Sequence, residues 1–221
     1  WYEEEMKNMK AIELKCEYLD TPIGIDVTAP RFFWKCNGGK TQSAYQIICE
    51  REGKTIWDTG KVASCEMTHI PYRGKSLQSR DRVNWKVLLW DEEDAPGEWA
   101  EAYFEMGLLE ETDWTAKWIR GDYKIKKHER YPVDCFRKQI RPAQDPAQNV
   151  IRARLYITAC GLYEARIDGQ RVGDFCLAPG STDYRKRIQY QTYDVTDMFT
   201  AGMSEKSLDG ALFDIDVAFS D

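Results

Sequence analysis

Apolar residues in this chain recur at every second position over short runs, and turn residues cut those runs before a helical period can develop. Such a pattern fits strands with one buried face and leaves little room for long helices. Ile12, Leu14 and Cys16 alternate with Glu13, Lys15 and Glu17, while Val83, Trp85, Val87 and Leu89 mark one face of a strand over 82–90. Pro30 precedes a run over 31–35, and Asn37-Gly38-Gly39 is a turn. Glu52-Gly53-Lys54 joins runs over 43–50 and 55–58 as a hairpin. An acidic loop over 91–97 leads to a last run over 99–107. After a solvated, helix-like lead-in over 1–10, residues 11–108 therefore read as a fibronectin- or immunoglobulin-like β-sandwich.

Residues 109–116 read as a short linker, and a second β-rich unit follows over 117–221. Its runs lie over 117–120, 133–140, 152–158, 162–167, 171–175 and 187–193. Asp168-Gly169 between the fourth and fifth is a strong hairpin signal. Tyr123–Arg130 is basic and polar, and Pro142–Pro146 is a turn. Phe213, Ile215, Val217 and Phe219 alternate with Asp214, Asp216 and Ala218, a clean amphipathic strand. No internal repeat is visible. The expected fold is all-β, two β-sandwich domains in series, the second jelly-roll-like.

Charge and motifs narrow the function. With 37 acidic against 31 basic residues the chain carries a formal charge of −6, the wrong sign for nucleic acid or an anionic membrane surface. Its apolar runs are far shorter than the roughly 20 residues of a membrane span. The acidic N-terminus shows no secretory signal, and seven Cys without a Cys-x-x-Cys pair suit reduced thiols packed as small hydrophobes. Both point to the cytoplasm. The only histidines, His69 and His128, fall in different units, so a His-based triad or zinc site is hard to assemble. No phosphate-cradling glycine motif occurs. The acidic clusters at 3–5, 91–94 and 110–111 lie in loops, where solvated charge is the ordinary reading rather than a catalytic pair. No catalytic residue, metal ligand or cofactor is expected. Of eight Trp, Trp85 faces the core, whereas Trp90 and Trp99 are the better surface candidates. Arg185-Lys186-Arg187 is too short for a nucleic-acid footprint and suits carboxylates or a neighbouring domain.

The second unit carries a more specific signal. Ala153–Ala165, Ile167–Asp174, Leu177–Arg187 and Tyr190–Thr196 resemble the N-terminal domain of bacterial α-L-rhamnosidases. Thr21–Asp26, Pro30–Trp34, Gln42–Gln46, Trp57–Val62, Trp85–Val87, Trp90-Asp91 and Phe104–Gly107 resemble the fibronectin-like domain that opens the same proteins. Asp113-Trp114 and Ala116–Ile119 are similar to the family's junction between the two. The family removes terminal L-rhamnose with inversion, using acidic residues of an (α/α)6 barrel downstream. Nothing like that barrel is present, so the resemblance implies a region inactive alone and carries over no catalytic residue. Ser181 replaces a Trp usual in the family, and 201–211 depart from its pattern. If 213–219 does not replace the strand expected there, the second sandwich has an open edge that favours a homodimer.

Three readings follow: an ancillary part of an α-L-rhamnosidase that supports its barrel, a stand-alone module binding rhamnose-containing glycans, or a structural remnant without sugar affinity. The candidate sugar contacts are Asp168, Asp183, Tyr184 and Arg187, in or beside the hairpin and the Asp-Tyr-Arg loop, where loops present polar groups. The plainer alternative is that Asp168 makes the turn and Arg187 pairs with a carboxylate.

Overall fold

A computed structural model describes residues 8–124, 126, 131–140, 150–199 and 213–220; within 213–220 the side chain of Val217 alone is described. Two compact units divide between Thr115 and Ala116. The first contains β1 (Lys10–Cys16), β2 (Arg31–Asn37), β3 (Ala44–Arg51), β4 (Lys54–Asp58), β5 (Ile70–Pro71), β6 (Arg82–Trp90) and β7 (Ala100–Glu105). They form two antiparallel sheets, β1-β2-β5 and β4-β3-β6-β7, the strand orders of a fibronectin-type sandwich. Asn37-Gly38-Gly39 thus links strands of different sheets, with both glycines in the left-handed region.

The alternation in β6 holds residue by residue. Val83, Trp85, Val87 and Leu89 are buried, and the residues between them are not. They meet Phe32, Trp34, Ile47, Cys49 and Phe104 in one core. In β1 the alternation breaks. Met9 and Ala11 face the core and Ile12 is largely outside, yet Cys16 is buried again. A one-residue register shift between Ile12 and Lys15 places an extra residue in β1, and Glu13 there has φ 49°. A bulge of this kind moves every later side chain to the other face. The lead-in read over 1–10 is also corrected at its end, because Met9 is core and Lys10 begins a strand; residues 1–7 lie outside the described ones.

The second unit contains β8 (Asp134–Ile140), β9 (Arg154–Ile157), β10 (Leu162–Ile167), β11 (Gln170–Arg171), β12 (Gln191–Asp194) and β13 (Phe213–Ser220). Its sheets are β11-β10-β13-β8 and β12-β9, enclosing Ile157, Tyr163, Ala165, Ile167, Val195 and Phe199, with Val217 packed against them. Asp168 and Gly169 both have positive φ, 47° and 79°, as the two-residue hairpin turn requires. Glu52-Gly53 repeats the arrangement in the first unit. The amphipathic run read at 213–219 is β13, and it pairs with β10 on one side and β8 on the other. That position is interior to the sheet, so the strand in question is supplied. Three expected runs are corrected, the one read at 187–193 being a strand only from Gln191. Residues 117–120 form no strand, and 171–175 contributes only its first residue, to β11. After Arg171 the chain turns through Gly173 at φ 66° and leaves the sheet.

Candidate functional site

At one end of the second unit three segments converge, 158–163, 175–180 and 182–191. The Thr158 hydroxyl donates to the Gln189 carbonyl, Tyr163 N–H donates to Ala178 O at 2.9 Å, and Gln191 Nε2 donates to Pro179 O at 3.2 Å. Residues 182–187 close on themselves. Asp183 O accepts the N–H groups of Lys186 and Arg187 at 2.8 and 3.0 Å, and Thr182 Oγ1 donates to Arg187 O at 2.5 Å. The Asp183 carboxylate takes Arg185 Nε and Nη2 at 3.0 and 3.2 Å, a pairing that holds its carboxyl below the ordinary range. Tyr184 then reaches across, and its hydroxyl accepts Gly161 N–H at 3.0 Å.

The structure therefore brings Asp183, Tyr184 and Arg187 into one turn and docks it on the corner before β10. Asp168 follows the other end of β10, about 20 Å away for six extended residues. Sequence order hides this separation, because a strand puts its two flanking loops at opposite ends. Of the basic run, Arg185 meets a carboxylate, as its composition suggested. The 175–180 segment holds residues that the sequence reading had not singled out. Phe175 and Leu177 are exposed, with Leu177 at φ 59°, and Arg171 Nη2 holds Phe175 O at 3.1 Å.

In the first unit, the outer face of β3, β6 and β7 carries a shallow cavity of about 370 Å³. Cross-strand pairing places Ile48, Lys86 and Glu101 in one row and Glu50, Asn84 and Tyr103 in the next. Lys86 Nζ lies 3.9 Å from Glu50 Oε1 and 5.3 Å from the Trp99 ring. Arg82 covers Tyr103 at 3.8 Å. These residues are scattered over more than fifty positions, so no motif announces them; register alone assembles the group. Trp90 and Trp99 do lie on the surface side, Trp90 beneath Lys61 at 4.8 Å.

His69 Nε2 is 2.6 Å from the Tyr18 hydroxyl and its ring packs edge-on to Phe33; His128 is outside the described residues. All seven Cys are free, but Cys16 and Cys49 alone are buried, whereas Cys65, Cys135, Cys160 and Cys176 are exposed. The picture of thiols packed inside thus holds for the first two. Among the described residues no group of three or more His, Cys, Asp or Glu could hold a metal ion. Among the described residues no helix is long and apolar enough to cross a membrane.

Residues 11–110 match the family model of a Rha78A-like, N-terminal immunoglobulin domain, and 148–206 match that of the α-L-rhamnosidase N-terminal domain. The second match passes Thr200, where the resemblance read from sequence stops. An α-L-rhamnosidase of Formosa agariphila is 35% identical over 85% of the chain, and one of Alteromonas sp. is 35% identical over 88%. The chain spans 22% and 23% of those two proteins. Solved α-L-rhamnosidases from Dictyoglumus thermophilum and Aspergillus terreus superpose over 96% of it, with TM-scores of 0.77 and 0.79 at 34% and 31% identity. They extend well beyond it, since the match covers 25% and 24% of their chains.

Proposed function

As the chain carries, in order, the two N-terminal modules of the α-L-rhamnosidase family, we propose that it serves as the non-catalytic front part of such an enzyme, supporting a catalytic region that removes terminal α-L-rhamnose. The observation that carries this reading is the pair of family matches in tandem on one chain, which covers 22% of the first relative's length. Each sandwich encloses its own core, which suits a folded, non-catalytic support module. The turn at 182–187 is held by its own hydrogen bonds, which suits a fixed loop presented to another domain.

The test has two arms. The purified chain should release no nitrophenol from 4-nitrophenyl α-L-rhamnoside. Removing the matching first quarter of the Formosa agariphila α-L-rhamnosidase should lower its soluble yield and melting temperature, and restoring that region with this chain should recover both. Turnover by the chain alone, or a truncated relative as stable and active as the intact one, would refute the proposal. A stand-alone glycan-binding role is the second reading, favoured by the polar cavity on β3, β6 and β7.

A further inference from the structure

We propose that the cavity on the outer face of β3, β6 and β7 is a binding site for a neutral, hydroxylated sugar ring. Three features of the site carry the inference. Its volume, about 370 Å³, lies in the range of small-molecule sites. Its side chains offer both hydrogen-bonding senses: Glu50 and Glu101 accept, Lys86 donates, and Asn84 does both. Strands about 4.8 Å apart set these groups out as a grid, which suits a ring bearing hydroxyls on several carbons.

Charge also selects the ligand class. Lys86 meets Glu50 at 3.9 Å, whereas Arg82 at the rim is already paired with Glu105 at 3.1 Å, so Glu101 leaves a small acidic excess that disfavours an anionic ligand and suits the hydroxyl donors of a neutral one. Apolar contact comes from Ile48 and the Tyr103 ring, which can meet the C–H face of a sugar. Arg82 over Tyr103 and Lys86 beside both Glu50 and Trp99 hold the wall in place before any ligand arrives, and pre-set side chains lower the ordering cost of binding. The cavity is independent of the 182–187 turn, which belongs to the other unit. Only the choice of L-rhamnose as first probe rests on the function proposed above.

Amide chemical shifts of the whole chain, titrated separately with L-rhamnose, L-fucose and D-galactose, test the site. A saturable response of β3, β6 and β7 residues to at least one sugar is expected, with a Kd of about 1 mM, the weak end of ordinary recognition. Glu101→Gln and Tyr103→Ala should each weaken it about tenfold or more while leaving the remaining spectrum in place. Glu101→Gln changes no volume, so it keeps the test valid should the Tyr variant unfold. No response to any of the three sugars, or shifts confined to residues 116–221, would overturn the proposal. Binding of fucose or galactose without rhamnose would support the site and leave the supporting role untouched, since that role is tested by truncation and not by sugar affinity, so the two fail separately.

Discussion

Gly97 is the position where the first sandwich tolerates no side chain at all. A Cβ built there would lie 1.7 Å from the Met9 carbonyl oxygen and 2.7 Å from its carbon. Both are backbone atoms, so no rotamer change can relieve the overlap. Two responses are open to Gly97→Ala. The segments can separate locally, an overpacking strain of about 1–3 kcal/mol. Alternatively the start of β1 can lift away, which loses the burial of Met9, about 1.5–3 kcal/mol for such a side chain. Lifting also loses the 3.1 Å bond from Glu98 N–H to Met9 O, worth about 1 kcal/mol. The cheaper route sets the outcome, so the expected loss is about 1–3 kcal/mol, roughly 5–20 °C in the melting temperature of a domain this size. Thermal unfolding followed by tryptophan fluorescence measures it. Gly53→Ala is the control: nothing lies within 4 Å of its Cβ and only its φ of +72° resists, so it should cost about 1 kcal/mol. Met9→Ala cannot rescue Gly97→Ala, because the clash is with the main chain. A Gly97→Ala protein within about 0.5 kcal/mol of the parent, the range of an ordinary surface change, would refute the argument.

The two most buried indoles should differ in what they lose on becoming Phe. Trp34 Nε1 donates to Gln42 Oε1 at 2.9 Å, whereas Trp85 Nε1 has no partner among the described residues; chemical denaturation should find Trp34→Phe more costly by about 1 kcal/mol. Glu17 takes Arg31 Nη2 at 2.7 Å and Arg31 backbone N–H at 2.7 Å, and the Arg31 guanidinium holds its carboxyl below the usual glutamate range. Its folded-state pKa is depressed, so its contribution is present above the ordinary glutamate value of about 4.3 and is lost as pH falls from there. Melting temperatures of Glu17→Gln and the parent should therefore converge in acid and diverge toward neutrality. Burial pushes the Cys16 and Cys49 thiols up. A thiol-reactive dye at neutral pH should label Cys65, Cys135, Cys160 and Cys176 quickly and those two only after unfolding.

Legibility followed the range of the forces involved. β6 was readable because its faces differ at every step and no bulge interrupts it. Asp168-Gly169 and Glu52-Gly53 were readable because a two-residue turn needs positive φ locally. β1 was misread from Ile12 because a bulge is a property of the pair, fixed by its register against β2. The 117–120 run looked like a strand by composition, yet no partner pairs with it among the described residues. The same limit hid the candidate sites. Nothing local says that Tyr184 reaches Gly161, or that Lys86 stands between Ile48 and Glu101, since each depends on strands brought together from afar.

The interior place of β13 has a consequence for synthesis. β8 and β10 leave the ribosome well before residues 213–220 are made, and until then each lacks the neighbour that lies between them. The first sandwich draws all its strands from residues 10–105 and can close while the second is still being translated. A pause or break in translation before β13 would thus release a protein with one finished half and one half with two waiting strand edges. Chaperone demand and proteolytic loss should then fall on residues 116–221 rather than on the chain as a whole.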